Sequence, residues 1–351
     1  MEKSVIAEIL TKAVNAPSGE NCQPWKFIID ISNALSIYNI PERDQSLYNV
    51  DQNGSLIAHG ALIENIALIA NERGYRCEIE IPENRDPSTP TAVIRFASDS
   101  SLTPDDLTNY IDRRTTNRKT YKSVSITNDQ INQLASVSVG TVVSFITDKE
   151  KIGGLSRAMS MNEKIVFEHQ KIHHFFFSHI RWTEAEQNQE RNGFYLPTLE
   201  LDSKQTSGMK LFKNWHIVKW LNLLGVSNMI AKDNQEKYRS SSLFGAIIIN
   251  DLSKSSLINA GRAFQRIWLT VTKLGLSLQP ATGIVLLRAA IKSGSRDEFS
   301  LTQQNLIEES YLEFENVFEV RDGSIAVMFR VGDGGEPSAY SSKMPPMITF
   351  E

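Results

Sequence analysis

Apolar residues recur at helical spacing through residues 2–15, with Val5, Ile6, Ile9, Leu10 and Ala13 on one face. The pattern stops at Ala16-Pro17-Ser18-Gly19, because Pro17 disfavours a helical residue before it and Gly19 punctuates the chain. Trp25 to Ile31 alternates as a strand does. A second helix is expected over 55–73, capped by Gly74, then strands at Cys77–Ile81 and Thr91–Phe96. The pattern restarts near residue 100. Pro104–Ile111 reads as a helix, and Thr127-Asn128-Asp129-Gln130 supplies the cap of another. Val142–Ile146 is a strand, and 160–240 is long, helical and rich in aromatics. Leu243–Ile249 is a buried strand, 260–274 a helix and Ile325–Val331 a strand. Helices and strands interleave without strict alternation, which predicts an α+β protein with a mixed sheet flanked by helices.

Part of this order repeats. Gly60-Ala61 lies in a helix that carries Ile66, Leu68 and Gly74, and Gly261-Arg262-Ala263 in one that carries Ile267, Leu269 and Gly275. The two superpose without gaps, and each precedes an apolar strand, Ala92–Phe96 or Ala326–Arg330.

Composition changes the picture little. The chain has 351 residues, 41% hydrophobic and 22% charged, with net charge −4, which is ordinary for a globular protein long enough for two cores. No basic stripe invites nucleic acid. The longest apolar runs, such as Phe244–Ile249, are strand-sized, so neither nucleic acid nor a membrane is expected as a partner. Met1-Glu2-Lys3-Ser4 shows no signal layout, and Cys22 and Cys77 imply no disulfide framework, so a cytoplasmic setting is expected. His169 and His173 are four apart but lack a third ligand of matching spacing, so no metal is expected.

Two segments carry candidate chemistry. Ala16 to Trp25 is a tight polar turn in which Ser18, Gly19 and Asn21 offer a hydroxyl, an amide and backbone N–H groups that could meet the edge of a flat heterocycle. A plain helix–strand connection would look similar. In Arg113-Arg114-Thr115-Thr116-Asn117-Arg118-Lys119, arginines alternate with a hydroxyl between them. That arrangement suits a terminal phosphate, though a solvated basic loop would share it.

Together these segments resemble the nitroreductase family. Pro17-Ser18-Gly19-Glu20-Asn21-Cys22-Gln23-Pro24-Trp25 matches that family's Pro-Ser-x-x-Asn-x-Gln-Pro-Trp turn. Arg114-Thr115-Thr116-Asn117-Arg118 matches its Arg-x-Ser-x-Arg phosphate motif, with Thr for Ser. The order is inverted: the turn comes first. No arginine precedes Pro17, and Ala135–Thr141, where a second turn would fall, has no Pro-Ser-x-x-Asn. Family members are homodimers with FMN at the subunit interface, so this chain looks like two fused halves that keep one motif each. Arg113–Arg118, Arg181–Gly193, Ala260–Arg266 and Ser342-Lys343-Met344-Pro345 make it most similar to the Acg-like branch.

The resemblance implies a nitroreductase-like fold duplicated as an intramolecular pseudo-dimer. One half would span 1–100. The other would span 101–351, with an aromatic insertion at about 160–240 that could form a lid. FMN would be held by Pro17, Ser18, Gly19 and Asn21 from the turn and by Arg114, Thr116 and Arg118. Lys343 would stand near the family's C-terminal phosphate contact. The Gln279-Pro280 region would pass beside the flavin ring, with Gln279 or Ala281 as backbone donor because Pro280 has no N–H. An FMN-dependent oxidoreductase passing hydride from NAD(P)H to a nitro- or quinone-like acceptor is the implied function. A non-catalytic flavin store under a closed lid is the alternative. Hydride transfer needs no nucleophile or general base, so no catalytic residue is nominated, and a monomer is expected.

Overall fold

A computed structural model describes residues 1–136 and 141–351. In chain order the elements are α1 (Lys3–Ala13), β1 (Trp25–Ile29), β2 (Leu35–Asn39), α2 (Asn53–Glu72), β3 (Tyr75–Glu80), β4 (Ala92–Ser98), α3 (Asn128–Ser136) and β5 (Val142–Ile146). A helical section follows: α4 (Lys149–Glu168), α5 (Gln170–Ser178), β6 (Ile180–Arg181), α6 (Glu184–Glu190), β7 (Phe194–Tyr195), α7 (Ser203–Phe212), α8 (Trp215–Asn222) and α9 (Val226–Arg239). The chain ends with β8 (Leu243–Ile249), α10 (Lys254–Lys273), β9 (Ser277–Pro280), α11 (Gly283–Ala290), α12 (Leu301–Phe318), β10 (Ser324–Gly332) and β11 (Ile348–Phe350).

The class is α+β, with two principal sheets flanked by helices. The first runs β11-β1-β2-β4-β3 and the second β5-β8-β10-β9. The neighbours β1-β2-β4-β3 are antiparallel throughout, as are β5-β8-β10-β9. Each sheet therefore places its third strand in sequence at the edge, beyond the fourth. In each, the long helix, α2 or α10, joins the second strand to the third. The helical section α4–α9 interrupts the second sheet between β5 and β8, and α11–α12 interrupt it between β9 and β10. These insertions share a core that includes Phe167, Phe177, Phe244, Tyr311 and Phe314.

The two sheets meet through α2 and α10. A Cβ on Gly60 would run into the backbone oxygen of Ile258, and one on Gly261 into that of Ile57. The two glycines that anchor the sequence repeat thus face the same kind of backbone atom, three residues upstream in the other helix. Beside the crossing, buried Glu64 takes Arg262 Nε at 2.9 Å and Arg266 Nη1 at 2.9 Å, and Gln265 Nε2 donates to Asn65 Oδ1 at 2.7 Å. Asn65 Nδ2 donates in turn to the Ala13 carbonyl at the end of α1. After β10 the chain returns to the first sheet, where β11 pairs parallel with β1.

Several expectations need amending. Pro104–Ile111 is only a single 3-10 turn over Asp106–Tyr110, because Asp105 caps Leu107 N–H and the Tyr110 carbonyl then takes both Arg113 and Arg114 N–H. The first strand ends at Ile29 rather than Ile31: Asp30 Oδ1 accepts from Ser32 and Ala34 N–H, and Asn33 turns left-handed. The helix over 260–274 begins earlier, at Lys254, capped by Ser253. The Thr127 cap is present, with Thr127 Oγ1 accepting from Gln130 N–H and Gln130 Oε1 accepting from Thr127 N–H. Of Ala135–Thr141, residues 137–140 lie outside the described residues.

The helix crossing yields the first test. Gly261→Ala should lower stability by about 1–3 kcal/mol, the usual range for overpacking a tight interface. Gly153→Ala, in α4 with nothing near the added Cβ, should be neutral or raise stability by up to about 1 kcal/mol. Thermal melting of the two variants should move in opposite directions or differ clearly; equal shifts would remove the close approach as the cause.

Candidate functional site

The turn after α1 is strained. Glu20, Asn21 and Gln23 all have positive φ, at 43°, 56° and 50°. A non-glycine residue in that region costs on the order of 1–3 kcal/mol, so such a turn persists only where its surroundings over-determine it. Here they do. Ser18 Oγ accepts from Gln23 N–H at 2.9 Å. The fully buried Gln23 side chain donates to the Asn21 and Arg191 carbonyls and accepts from Met344 N–H. Asn21 Nδ2 donates to the Ser342 carbonyl at 3.0 Å. Two distant segments, at Arg191 and at Ser342–Met344, clamp one short turn.

The arginine segment is extended. Thr116 bridges Leu278 of β9, and Asn117 N–H donates to the Leu278 carbonyl while its side chain donates to Ser277 Oγ and the Gly335 carbonyl. With Asn117 turned into the sheet, Arg114, Thr116 and Arg118 fall on the other side by strand alternation. Arg114 Nη2 donates to the Asn15 carbonyl at 2.8 Å, and its guanidinium lies 4.4 Å from the Trp268 ring centroid. Arg118 Nη1 donates to the Thr198 carbonyl at 2.9 Å, with Phe194 5.2 Å away. Lys343 Nζ donates to the Ala16 carbonyl and Asn21 Oδ1, both at 2.8 Å.

Pro17, Ser18, Asn21, Arg114, Thr116, Arg118 and Lys343 line one cleft. Of the other expected residues, Gly19 sits behind the turn near Asp44, while Gln279 and Pro280 stand in β9 and do not line the cleft. Gln279 Oε1 accepts from Arg330 Nε, and Ala281 N–H already donates to the Met328 carbonyl. Gly193 and Phe194, within the expected aromatic insertion, also line the cleft, and sequence reasoning left out Asn15, Ile111, Asp112, Thr115, Thr198, Tyr340 and Ser341; the Asp112 carboxylate accepts from Asn15 Nδ2. Asn15, Thr198, Tyr340 and Ser341 reach the cleft from segments whose own spacing carries no sign of it. The aromatics of α5 and α8 pack largely among themselves, so the wall over the cleft is the strap around Gly193–Thr198. His169 and His173 each bond a backbone carbonyl, and among the described residues no His, Cys, Asp and Glu cluster could hold a metal.

The cleft is cationic. Among the described residues, Arg114, Arg118 and Lys343 make no ion pair with a carboxylate. Burial pushes Arg114 down to about 10. Burial, and then the Arg114 charge, pushes Lys343 down to about 7, although part of its stem stays exposed. Arg118 is lowered too, chiefly by burial. Glu20, in the turn, is raised by burial and then by Asp44, against the pull of Arg118. Arg114 Nε is buried with no partner at all. Forked donors, a hydroxyl and an unmet N–H in one place form a donor set suited to a phosphate-sized anion.

No protein-family model matches the chain. A curated relative, an uncharacterized protein of Mycobacterium tuberculosis (strain CDC 1551 / Oshkosh), is 22% identical over 288 residues, covering 81% of this chain and 40% of that protein. The chain thus corresponds to well under two thirds of that relative's length. Solved structures with a similar fold include a nitroreductase with bound FMN from Bacteroides fragilis: 9% identity, 68% of this chain, 94% of that one, TM-score 0.36. An FMN-dependent nitroreductase from Mycobacterium smegmatis in complex with NADPH gives 10%, 65%, 87% and 0.36. A nitroreductase-like family protein from Bacillus cereus gives 11%, 70%, 95% and 0.35. At such scores these likenesses carry none of the functional argument, which rests on the cleft itself.

The depressed Lys343 makes a pH prediction. Its folded value of about 7 lies below the ordinary 10.5, so between these values the unfolded chain binds more protons. Stability of the ligand-free protein should therefore gain from this group as pH rises from about 7 towards 10, lose that gain as pH falls back to about 7, and be insensitive to this group below that. Lys343→Met should flatten this part of the profile in urea unfolding; an unchanged slope would place the titration elsewhere.

Proposed function

We propose that this cleft holds the phosphate of FMN and that the chain is an FMN-dependent oxidoreductase. It would take hydride from NAD(P)H and pass it to a nitro- or quinone-like acceptor. The carrying observation is the set of three inward-facing cations without carboxylate partners, drawn from the arginine segment and the C-terminal segment, together with the unpartnered Arg114 Nε. Two guanidinium forks and an ammonium suit a phosphate dianion, and the Thr116 hydroxyl can donate to the same group. Ser18 and Asn21, fixed by the clamped turn, suit the polar edge of a heterocycle. When bound, FMN supplies a ring that accepts a hydride and hands it on. The protein's part is to grip, orient and shield. Phe194 and Thr198 exclude water from one side, and Trp268 backs Arg114.

This reading also accounts for the two sheets of equal strand order. The turn belongs to the first and the arginine segment abuts the second, so one site would be shared by two equivalent halves of one polypeptide. A chain that already contains both halves would work as a monomer.

Purified protein should be yellow, sediment as a monomer and carry at most one FMN per chain on extraction; a ratio near two would sink the shared-site argument. Losing one charged partner of a phosphate costs about 1.5–3 kcal/mol, or roughly tenfold to a hundredfold in affinity. Arg114→Ala and Arg118→Ala should each weaken FMN binding to that extent while leaving riboflavin binding nearly unchanged. Riboflavin losing as much as FMN would move the arginines away from the phosphate.

The strap offers a separate test. Gln187 Nε2, in the α6 helix that leads into the strap, donates to the Tyr340 carbonyl and ties that helix to the C-terminal segment. Gln187→Ala removes one buried hydrogen bond of about 0.5–1.5 kcal/mol, so FMN release on dilution should speed up roughly two- to tenfold. Unchanged release would mean that the strap does not gate the cleft.

A further inference from the structure

The helical section carries a second surface, remote from the turn and the arginine segment in sequence and unused by the proposed function. Leu211 lies in the last turn of α7, and Trp220, Leu223 and Leu224 form the outer side of α8 and the turn after it, with Met229 following in α9. All five are exposed, Trp220 at 72% and Leu224 at 82%. The orientation is fixed from inside. Val218 is fully buried, and Trp215 packs on His173 at 5.1 Å, so His216, Lys219, Trp220 and Leu223, at successive helical spacings, must face outward. Clustered apolar side chains on an otherwise ordinary surface mark a contact site.

The charge around this tip is one-sided. Lys204, Lys210, Lys213, Lys219 and Lys232 are all exposed, and no Asp or Glu occurs between Ser203 and Lys232, in a chain whose net charge is −4. None of the five lysines makes an ion pair with a carboxylate among the described residues; Asp202 and Asp233 bound the run at its two ends, and Lys213 shares a groove with Glu186 and Glu190. A second copy is a poor occupant, because a two-fold contact through this patch would set lysines against lysines. A surface that accepts Trp and Leu side chains while presenting dense negative charge is the better complement.

We infer that the tip formed by the end of α7, α8 and the turn into α9 docks on an anionic lipid surface, with Trp220, Leu223 and Leu224 inserted at headgroup depth and the lysines facing the headgroups. This revises the sequence expectation that a membrane is no partner. That expectation concerned spanning, and indeed no described helix is long and apolar enough to cross a membrane. Docking makes no such demand on length.

The test uses the whole chain and co-sedimentation with vesicles. The protein should bind phosphatidylglycerol–phosphatidylcholine vesicles, bind phosphatidylcholine alone at least about tenfold more weakly, and detach as salt is raised. The charge variant Lys210→Glu/Lys219→Glu and the insertion variant Trp220→Ser/Leu224→Ser should each lose at least about tenfold in vesicle binding, with circular dichroism and melting unchanged. Both pairs are exposed, so either can serve if the other fails to fold. Equal binding to both vesicle types, or variants that bind like the parent, would overturn the proposal. So would a dimer in sedimentation that Trp220→Ser/Leu224→Ser dissolves, since that would make the tip an interface between copies.

Discussion

Everything at the cleft hangs on the crossing of α2 and α10. Gly60 and Gly261 let the two helix backbones approach so closely that a single methyl group on either would strike a carbonyl of the other. Helices held that close transmit position rather than merely contact. Asn65, one turn on, fixes the end of α1 through the Ala13 carbonyl, three residues before the strained turn begins. Trp268, on the other helix, lies under Arg114. The two walls of the cleft are thus referred to one helix pair, and the distance between turn and arginines is set before either makes a contact of its own. Glu64 adds direction to this. A buried carboxylate without partners would cost far more than a lost contact, so a register that parts it from Arg262 and Arg266 is excluded.

Against that rigid frame the cleft itself is energetically unfavourable. Three left-handed residues are held in the turn by clamps, and cationic groups are drawn into protein without counter-charges. Neither feature helps the empty protein fold. Both make sense if an anion completes the site, because a ligand that binds only the folded chain returns free energy that strain and desolvation withhold.

How much of this was legible in the sequence follows from the range of each interaction. The turn and the Arg114–Thr116–Arg118 alternation were readable because short-range spacing decides them, and Gly60 and Gly261 were readable as equivalent positions of two superposable helices, whereas their mutual close approach is a tertiary contact that spacing does not carry. The helix expected at Pro104–Ile111 shrank to one 3-10 turn because Asp105 caps it from inside. β2, where Ser36, Tyr38 and Asn39 dilute the apolar pattern, and β9, which ends at Pro280, carry little strand signal of their own. They form because neighbouring strands pair with them. Gln279 does not line the cleft for a related reason: its side chain meets the buried Arg330 guanidinium, which among the described residues has no ion-paired carboxylate and bonds Gln279 and two backbone carbonyls. Nothing in the local sequence announces that demand.

The C-terminal segment shows why the site could not be read from motifs alone. Leaving β10 at Gly332, the chain crosses the cleft mouth, where Tyr340 and Lys343 line it, and then joins the first sheet as β11 beside β1. Within this one crossing, Ser342 accepts from Asn21, Lys343 donates to Ala16 and Asn21, and Met344 donates to Gln23. Each bond spans more than three hundred residues of sequence, so each depends on the fold bringing the two ends of the chain together. The strained turn, its clamp and the third cation therefore arrive together. The cleft is a late product of the assembled fold, and its chemistry belongs to neither half taken singly.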